Sequence, residues 1–187
     1  MRIGIDIDDT ITETYDIFIK KICEIYNLDY ETLFMQTMNY DYLHKKYPKA
    51  FEMEIFEKYI PNVKLKKDVK KIINKLSKKH EIIIITARNK NEYKMPYNVS
   101  CNYLIKNNIH FDEMFVEIYD KGKCCYDNKI DLFIDDSVRN CLSVDEYGID
   151  TIIYDNIFNK DCNLKRFNNW LDIYDYIERK NDGKNSN

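Results

Sequence analysis

Residues 2–14 read RIGIDIDDTITET. Ile3, Ile5 and Ile7 alternate with Gly4, Asp6 and Asp8, and Asp9 follows at once. The alternation predicts a strand, and the strand ends in three acids within four residues. Positions i and i+2 share one strand face, about 6–7 Å apart. The spacing therefore predicts Asp6 and Asp8 side by side at the end of a buried strand. Two carboxylates in such a place need a cation or a raised pKa.

Four more strand-like runs follow: EIIIIT (81–86), EMFVEI (113–118), DLFID (131–135) and DTIIYD (150–155). Several are almost wholly apolar, the pattern of strands covered on both faces. Helical patterns lie between them. In KKDVKKIINKLSKK (66–79), Val69, Ile72, Ile73 and Leu76 fall on one helix face. Residues 15–27 and 164–180 read as helices in the same way. Alternating strands and helices predict an α/β fold with a parallel, Rossmann-like sheet. The gap between the first two strand runs far exceeds the 10–15 or so residues of a crossover helix. The surplus, residues 12–62, reads as a helical cap inserted after strand 1. Residues 1–11 and 63–180 are then the core domain. The polar end NDGKNSN (181–187) is expected to be disordered.

Composition narrows the function. The chain has 187 residues, 44% hydrophobic and 33% charged, with a net charge of −3. Its charges are mixed and no basic patch stands out, so a nucleic acid polymer is not an expected partner. No apolar stretch nears the ~20 residues needed to span a membrane. The six cysteines form no C-x-x-C pair and the three histidines are scattered, which argues against zinc. Free thiols without an export signal point to the cytoplasm.

In an open parallel sheet, ligands bind beyond the carboxyl ends of the strands. The polar residues there are Asp6, Asp8, Asp9 and Thr10 after the first strand, and Thr86 and Arg88 after the second. Asp120, Lys121 and Lys123 follow the third run; Asp135, Asp136 and Ser137 end the fourth. Each has a plain structural reading: Ser137 or its acids as a helix cap, Lys121 as a surface lysine. Asp6, Asp8 and one residue of the Asp135–Asp136 pair are expected to form an all-oxygen site that suits Mg²⁺, with Thr86 and Lys121 placed to bind phosphate oxygens.

With these residues in order, the chain resembles the haloacid dehalogenase superfamily. DIDDT matches the D-x-D-x-[T/V] signature after an apolar strand. Thr86 in IIIITAR matches the second motif, Lys121 the third and LFIDD the fourth. The wording of the motifs is similar to that of bacterial nucleotidases related to cytosolic 5′(3′)-deoxyribonucleotidases. Lys123 competes with Lys121 for the third motif. Lys121 is preferred because it lies ten residues before Asp131, the spacing of these relatives.

The resemblance implies a Mg²⁺-dependent phosphatase acting on a small phosphate monoester, such as a (deoxy)nucleoside 5′-monophosphate. Asp6 is the expected nucleophile and Asp8 the general acid and base. Asp6, Asp136 and the backbone carbonyl of Asp8 would hold the metal, supported by Asp135. Thr86, Lys121 and Arg88 would bind the phosphate. Asp9 is expected only to cap the turn into the helical segment. Of Tyr15, Phe18, Phe34, Tyr40, Tyr42 and Tyr47, most are expected in core packing rather than on a substrate base. Alternatives are a phosphatase of another metabolite, such as a sugar phosphate, and an inactive Mg²⁺-binding protein. A phosphoryl-accepting receiver domain fits poorly, because its paired acids come first in the chain.

Overall fold

The computed structural model describes residues 1–35, 40–160 and 162–184. Six parallel strands form one sheet: β1 (Arg2–Ile5), β2 (Glu81–Ile85), β3 (Glu113–Phe115), β4 (Leu132–Asp135), β5 (Asp150–Tyr154) and β6 (Arg166–Phe167), in the order β3-β2-β1-β4-β5-β6. The chain builds outward from β1 on one side, then crosses back to lay β4 on the other. Such a reversal leaves a crevice between β1 and β4 at their carboxyl ends.

The isoleucine-rich runs explain the layers. Alternate residues of a strand point to opposite faces. Ile82 and Ile84 of β2 join Ile3 and Ile5 in a core with helices α5 (Val69–Leu76) and α9 (Trp170–Lys184). Ile83 and Ile85 face the other way, toward Phe133 and helices α7 (Lys121–Asp127) and α8 (Val138–Asp145). Gly4 makes room at the centre: a Cβ there would lie 2.9 Å from the Phe133 ring.

Between β1 and α5 the chain forms α1 (Thr14–Tyr26), α2 (Tyr30–Met35), α3 (Tyr40–Lys46), α4 (Met53–Tyr59) and two short 3₁₀ turns, Pro48–Phe51 and Ile60–Asn62. This segment buries its own cluster, which includes Phe18, Ile22, Leu43, Phe51 and Phe56. Tyr93, from the loop between β2 and helix α6 (Pro96–Lys106), packs into the same cluster. The two connections to the sheet domain run side by side. Thr12 and Leu65 form an antiparallel bridge, flanked by hydrogen bonds from Glu13 N–H to Lys64 O and from Lys66 N–H to Ile11 O. Of the six aromatics singled out, Phe18 and Tyr47 are buried in this cluster, while Phe34 and Tyr42 face outward.

The structure corrects four local readings. β1 stops at Ile5. Asp6 N–H still donates to Ile134 O, but then the chain turns, with Ile11 and Thr12 N–H both on Ile7 O and Asp9 at φ +57°. Asp6 and Asp8 therefore meet across a turn rather than on one pleated face. β3 likewise ends early, where Glu117 adopts φ +61° and its N–H bonds to Arg88 O. Arg166 and Phe167, expected in a helix, pair with Ile153 and Tyr154 as an edge strand. The helix begins at Trp170 and continues to Lys184, past the expected start of the tail; residues 185–187 lie outside the described residues. No described helix is long and apolar enough to cross a membrane.

Candidate active site

Asp6 directly follows the central strand β1, and its N–H donates at 3.0 Å to the carbonyl of Ile134, the residue before Asp135 on β4. Asp136 comes next. One carboxylate oxygen from each of Asp6, Asp135 and Asp136 lies within 4.8 Å of the others, and all three residues are buried. Lys121 is the cation among them. Its Nζ donates to Asp6 Oδ1 at 2.6 Å and to the carbonyl of Ile85, and lies 3.6 Å from Asp135 Oδ2. Lys121 is the first residue of α7, and that helix packs closely on α8 because its second residue is glycine. A Cβ on Gly122 would lie 2.3 Å from the carbonyl oxygen of Ser143 in α8. Lys123, the competing candidate, points outward and pairs with Asp127 at 2.6 Å.

Asp135 and Asp136 are held differently. Asp135 accepts from Ser137 N–H on Oδ1 at 2.7 Å and from Asn140 Nδ2 on Oδ2 at 3.0 Å. Asp136 accepts from Asn156 Nδ2 on Oδ2 at 2.8 Å, and Asn159 Nδ2 binds its backbone carbonyl. Ser137, rather than either acid, caps α8 by accepting from Asn140 N–H.

The charge balance of this cluster is poor. Burial pushes the Asp6 carboxyl up to about 7 against the pull of Lys121, with Asp135 and Asp8 adding to the rise. Burial also raises Asp135, again against Lys121. Asp136 is pushed well up by burial and by Asp135 beside it. Three buried carboxylates with one lysine lack positive charge, and their donors are all hard oxygens. That set fits a small divalent cation and does not fit a thiol-seeking one.

Asp8 has the opposite environment. Its Oδ2 accepts from Arg88 Nε and its Oδ1 from Arg88 Nη2, both at 2.8 Å. Thr14, at the start of α1, adds a hydroxyl donor to Oδ1 at 2.7 Å. Burial opposes ionisation, but the Arg88 charge and these hydrogen bonds outweigh it and hold Asp8 below its ordinary value. Arg88, expected on the substrate phosphate, lines the cavity above these residues; its Nε and Nη2 donate to Asp8 and its Nη1 lies 3.4 Å from Ser100 Oγ. Thr86 is buried beside it and accepts from Arg88 N–H at 3.3 Å. Asp9 lines the same cavity, and its charge adds to the rise of the Asp136 carboxyl. Asp9 accepts from Tyr15 N–H at 2.7 Å, satisfying an open donor in the first turn of α1, and lies 3.6 Å from Lys66 Nζ.

Above these residues is a cavity of about 480 Å³. Asp6, Asp8, Thr86, Asp135 and Asp136 line it, as do Tyr15, Tyr40, Phe56, Tyr93 and Phe158. The Tyr15 and Phe158 rings meet edge to face at 4.6 Å. Glu92, another lining residue, has its carboxyl raised to about 7 by burial and by Asp8. A phosphate ester of modest size fits such a space. The sequence reading missed Asn140, Asn156, Asn159, Glu92 and Phe158. Asn156 and its neighbours follow β5, so the strand-end rule applied to the fifth run would have pointed to them.

No family model matches the chain. A curated nucleotidase from Clostridium acetobutylicum is 31% identical over 187 residues, covering 96% of this chain and 94% of its own length. Two solved structures share the fold. One is a haloacid dehalogenase-like hydrolase from Streptococcus pneumoniae, with TM-score 0.63, 13% identity and coverage of 94% of this chain and 97% of its own. The other is the HAD-hydrolase YfnB from Bacillus subtilis, described as bound to magnesium, with TM-score 0.62, 15% identity and coverage of 94% and 97%. Taken with a parallel sheet that gathers four acids, a threonine and a lysine at its switch point, the full-length likeness to the clostridial protein places this chain in that nucleotidase's family, with the fold of haloacid dehalogenase-like hydrolases.

Proposed function

We propose that this chain is a Mg²⁺-dependent phosphatase of a nucleoside or deoxynucleoside 5′-monophosphate, acting through an aspartyl-phosphate on Asp6. Family membership makes it a hydrolase of phosphoric monoesters. The finer reading rests on one observation above all: two acids two residues apart with opposed environments, Asp6 on Lys121 and Asp8 on Arg88. A pair of carboxyls whose surroundings push their pKa values apart is the arrangement that divides acid–base work from other tasks.

Asp6, Asp136 and the backbone carbonyl of Asp8 would hold Mg²⁺, with Asp135 in support. When bound, the ion supplies positive charge against the dianionic phosphate. Asp6 attacks phosphorus and the ester P–O bond breaks. Asp8 gives the leaving oxygen a proton, then takes one from the water that cleaves the acyl phosphate and frees Asp6. Arg88 and Thr14 keep Asp8 ionised in the resting site. An arriving phosphate dianion favours its protonated form, because like charge raises a carboxyl pKa. Lys121 and Thr86 offer donors to the phosphate oxygens, while Arg88 positions Asp8. Residues 12–62, as a cap, supply the aromatic side of the cavity, where Tyr15 and Tyr40 offer flat faces to a base.

Released phosphate, measured for purified protein with Mg²⁺ on a panel of monoesters, tests the reading. Deoxynucleoside 5′-monophosphates should be hydrolysed faster than sugar phosphates, and EDTA should stop turnover until Mg²⁺ is restored. Preference for sugar phosphates would replace the substrate; activity unchanged by chelation would remove the metal.

A further inference from the structure

The loop after β5 belongs to none of the four motifs, yet it closes on the acid cluster. Asn156 donates its side-chain amide to Asp136 Oδ2 at 2.8 Å, and its side-chain oxygen accepts from Phe158 N–H at 2.8 Å. The two contacts together orient the amide. Asn159 braces the loop by donating to both the Asp136 and Tyr154 carbonyls at 2.8 Å, and Arg166 Nη1 holds the Asn159 oxygen at 2.6 Å. This is a built support rather than a chance surface contact. The neighbouring acid shows the contrast: Asp135 has donors on both oxygens, whereas among the described residues Asp136 accepts hydrogen bonds on Oδ2 alone.

We propose that Asn156 is a positioning residue for the metal site, holding one oxygen of Asp136 so that the other is presented to the cation. This rests on the Mg²⁺ reading above. Carboxylates that ligate metals are themselves oriented by hydrogen bonds, and removing such a partner commonly weakens metal binding 10- to 100-fold. The same residue anchors Phe158, whose ring meets Tyr15 at 4.6 Å. The loop thus joins the metal ligand to the aromatic side of the cavity.

Isothermal titration calorimetry of Mg²⁺ into substrate-free protein tests this. Asn156→Ala should bind Mg²⁺ at least about 10-fold more weakly than wild type. Its kcat should recover to within about threefold at saturating Mg²⁺, a rescue that a damaged fold would not give. Asn156→Ser provides a second test if the alanine variant unfolds. Its hydroxyl can still close the turn onto Phe158 N–H but is too short to reach Asp136, so the same loss is expected. Lys160→Ala, an exposed change in the same loop, should bind Mg²⁺ like wild type. The proposal is overturned if both Asn156 variants bind Mg²⁺ within twofold of wild type, or if Lys160→Ala loses as much affinity as they do. A wild-type protein that binds no Mg²⁺ would instead overturn the function on which the proposal rests.

Discussion

Asp6 and Asp8 are the same residue type, two positions apart, and the structure gives them unlike surroundings. Asp6 is buried among acids and shares a single lysine with Asp135. Asp8 is half-buried, grasped at two points by an arginine and touched by a threonine of α1. The first is short of positive charge and the second is fully compensated. A carboxylate that must meet a phosphate dianion benefits from a site where a cation is still to be added. One that must exchange protons with a leaving group benefits from fixed geometry and a defined resting state. The turn at Asp9 produces the difference. Had β1 continued through Asp8, the two side chains would share one face and one environment.

The comparison breaks first at Asp6. Asp6→Asn should lower kcat on the order of 10⁴-fold or more, the scale of losing a nucleophile, as measured by phosphate release. Asp8→Asn should lower it by about 10²- to 10⁴-fold, the usual contribution of an acid–base group. Equal, small losses in both would mean that the two environments do not mark two roles. Arg88→Lys keeps the charge but loses the two-point grip on Asp8, since a lysine is a point donor. A drop in kcat of about 10-fold, with little change in KM, is expected if Arg88 acts through Asp8. A rise in KM alone would return Arg88 to the phosphate.

The Lys121 side has its own weak point. Gly122→Ala would drive a methyl group into the Ser143 carbonyl and push α7 away from α8. Overpacking of this kind costs about 1–3 kcal/mol, read from urea unfolding, and here it should also reduce kcat by moving Lys121. Unchanged stability would show that α7 does not depend on the close approach.

The smallest effect lies far from the cavity. Asp150 on β5 accepts from the Tyr176 hydroxyl at 2.7 Å and pairs with Lys180 of α9. Burial opposes ionisation, but these partners win and hold its carboxyl below the ordinary 3.8. A depressed pKa stabilises the fold above the unfolded value and loses that contribution as pH falls through the folded one. Asp150→Asn should therefore cost no more than about 1 kcal/mol at pH 7 and less at pH 3, judged by urea midpoints. A cost that grew on acidification would reverse the sign of this argument.

Much of this architecture was legible because it depends on periodicity. The runs around Ile3, Ile83, Phe133 and Ile152 could be read as buried strands, and parallel strands bring their carboxyl ends to one edge. That is why residues as distant as Asp6, Thr86, Lys121 and Asp136 could be expected together. What could not be read depends on single hydrogen bonds across the fold. Nothing in the spacing of Asp8 and Arg88 shows that they pair, since the arginine follows a strand end just as a phosphate ligand would. Asn156 sits in a chain rich in asparagine, where residue type carries little signal. The early end of β1 follows from a positive φ at Asp9 and from hydrogen bonds to α1, neither of which leaves a periodic mark. Edge strand β6 is two residues long, too short for a pattern to register against the helix that follows.

The most direct test of the division of labour is to catch the covalent intermediate. Asp8→Asn protein, mixed with p-nitrophenyl phosphate and Mg²⁺ and quenched in acid, should carry phosphate on the peptide containing Asp6, because this leaving group departs without a proton from Asp8 whereas breakdown still needs the base that this variant lacks. Mass spectrometry of that peptide should show the added phosphate, and the Asp6→Asn, Asp8→Asn double variant should not. Phosphate found on another residue, or near-normal turnover by Asp6→Asn, would contradict the account.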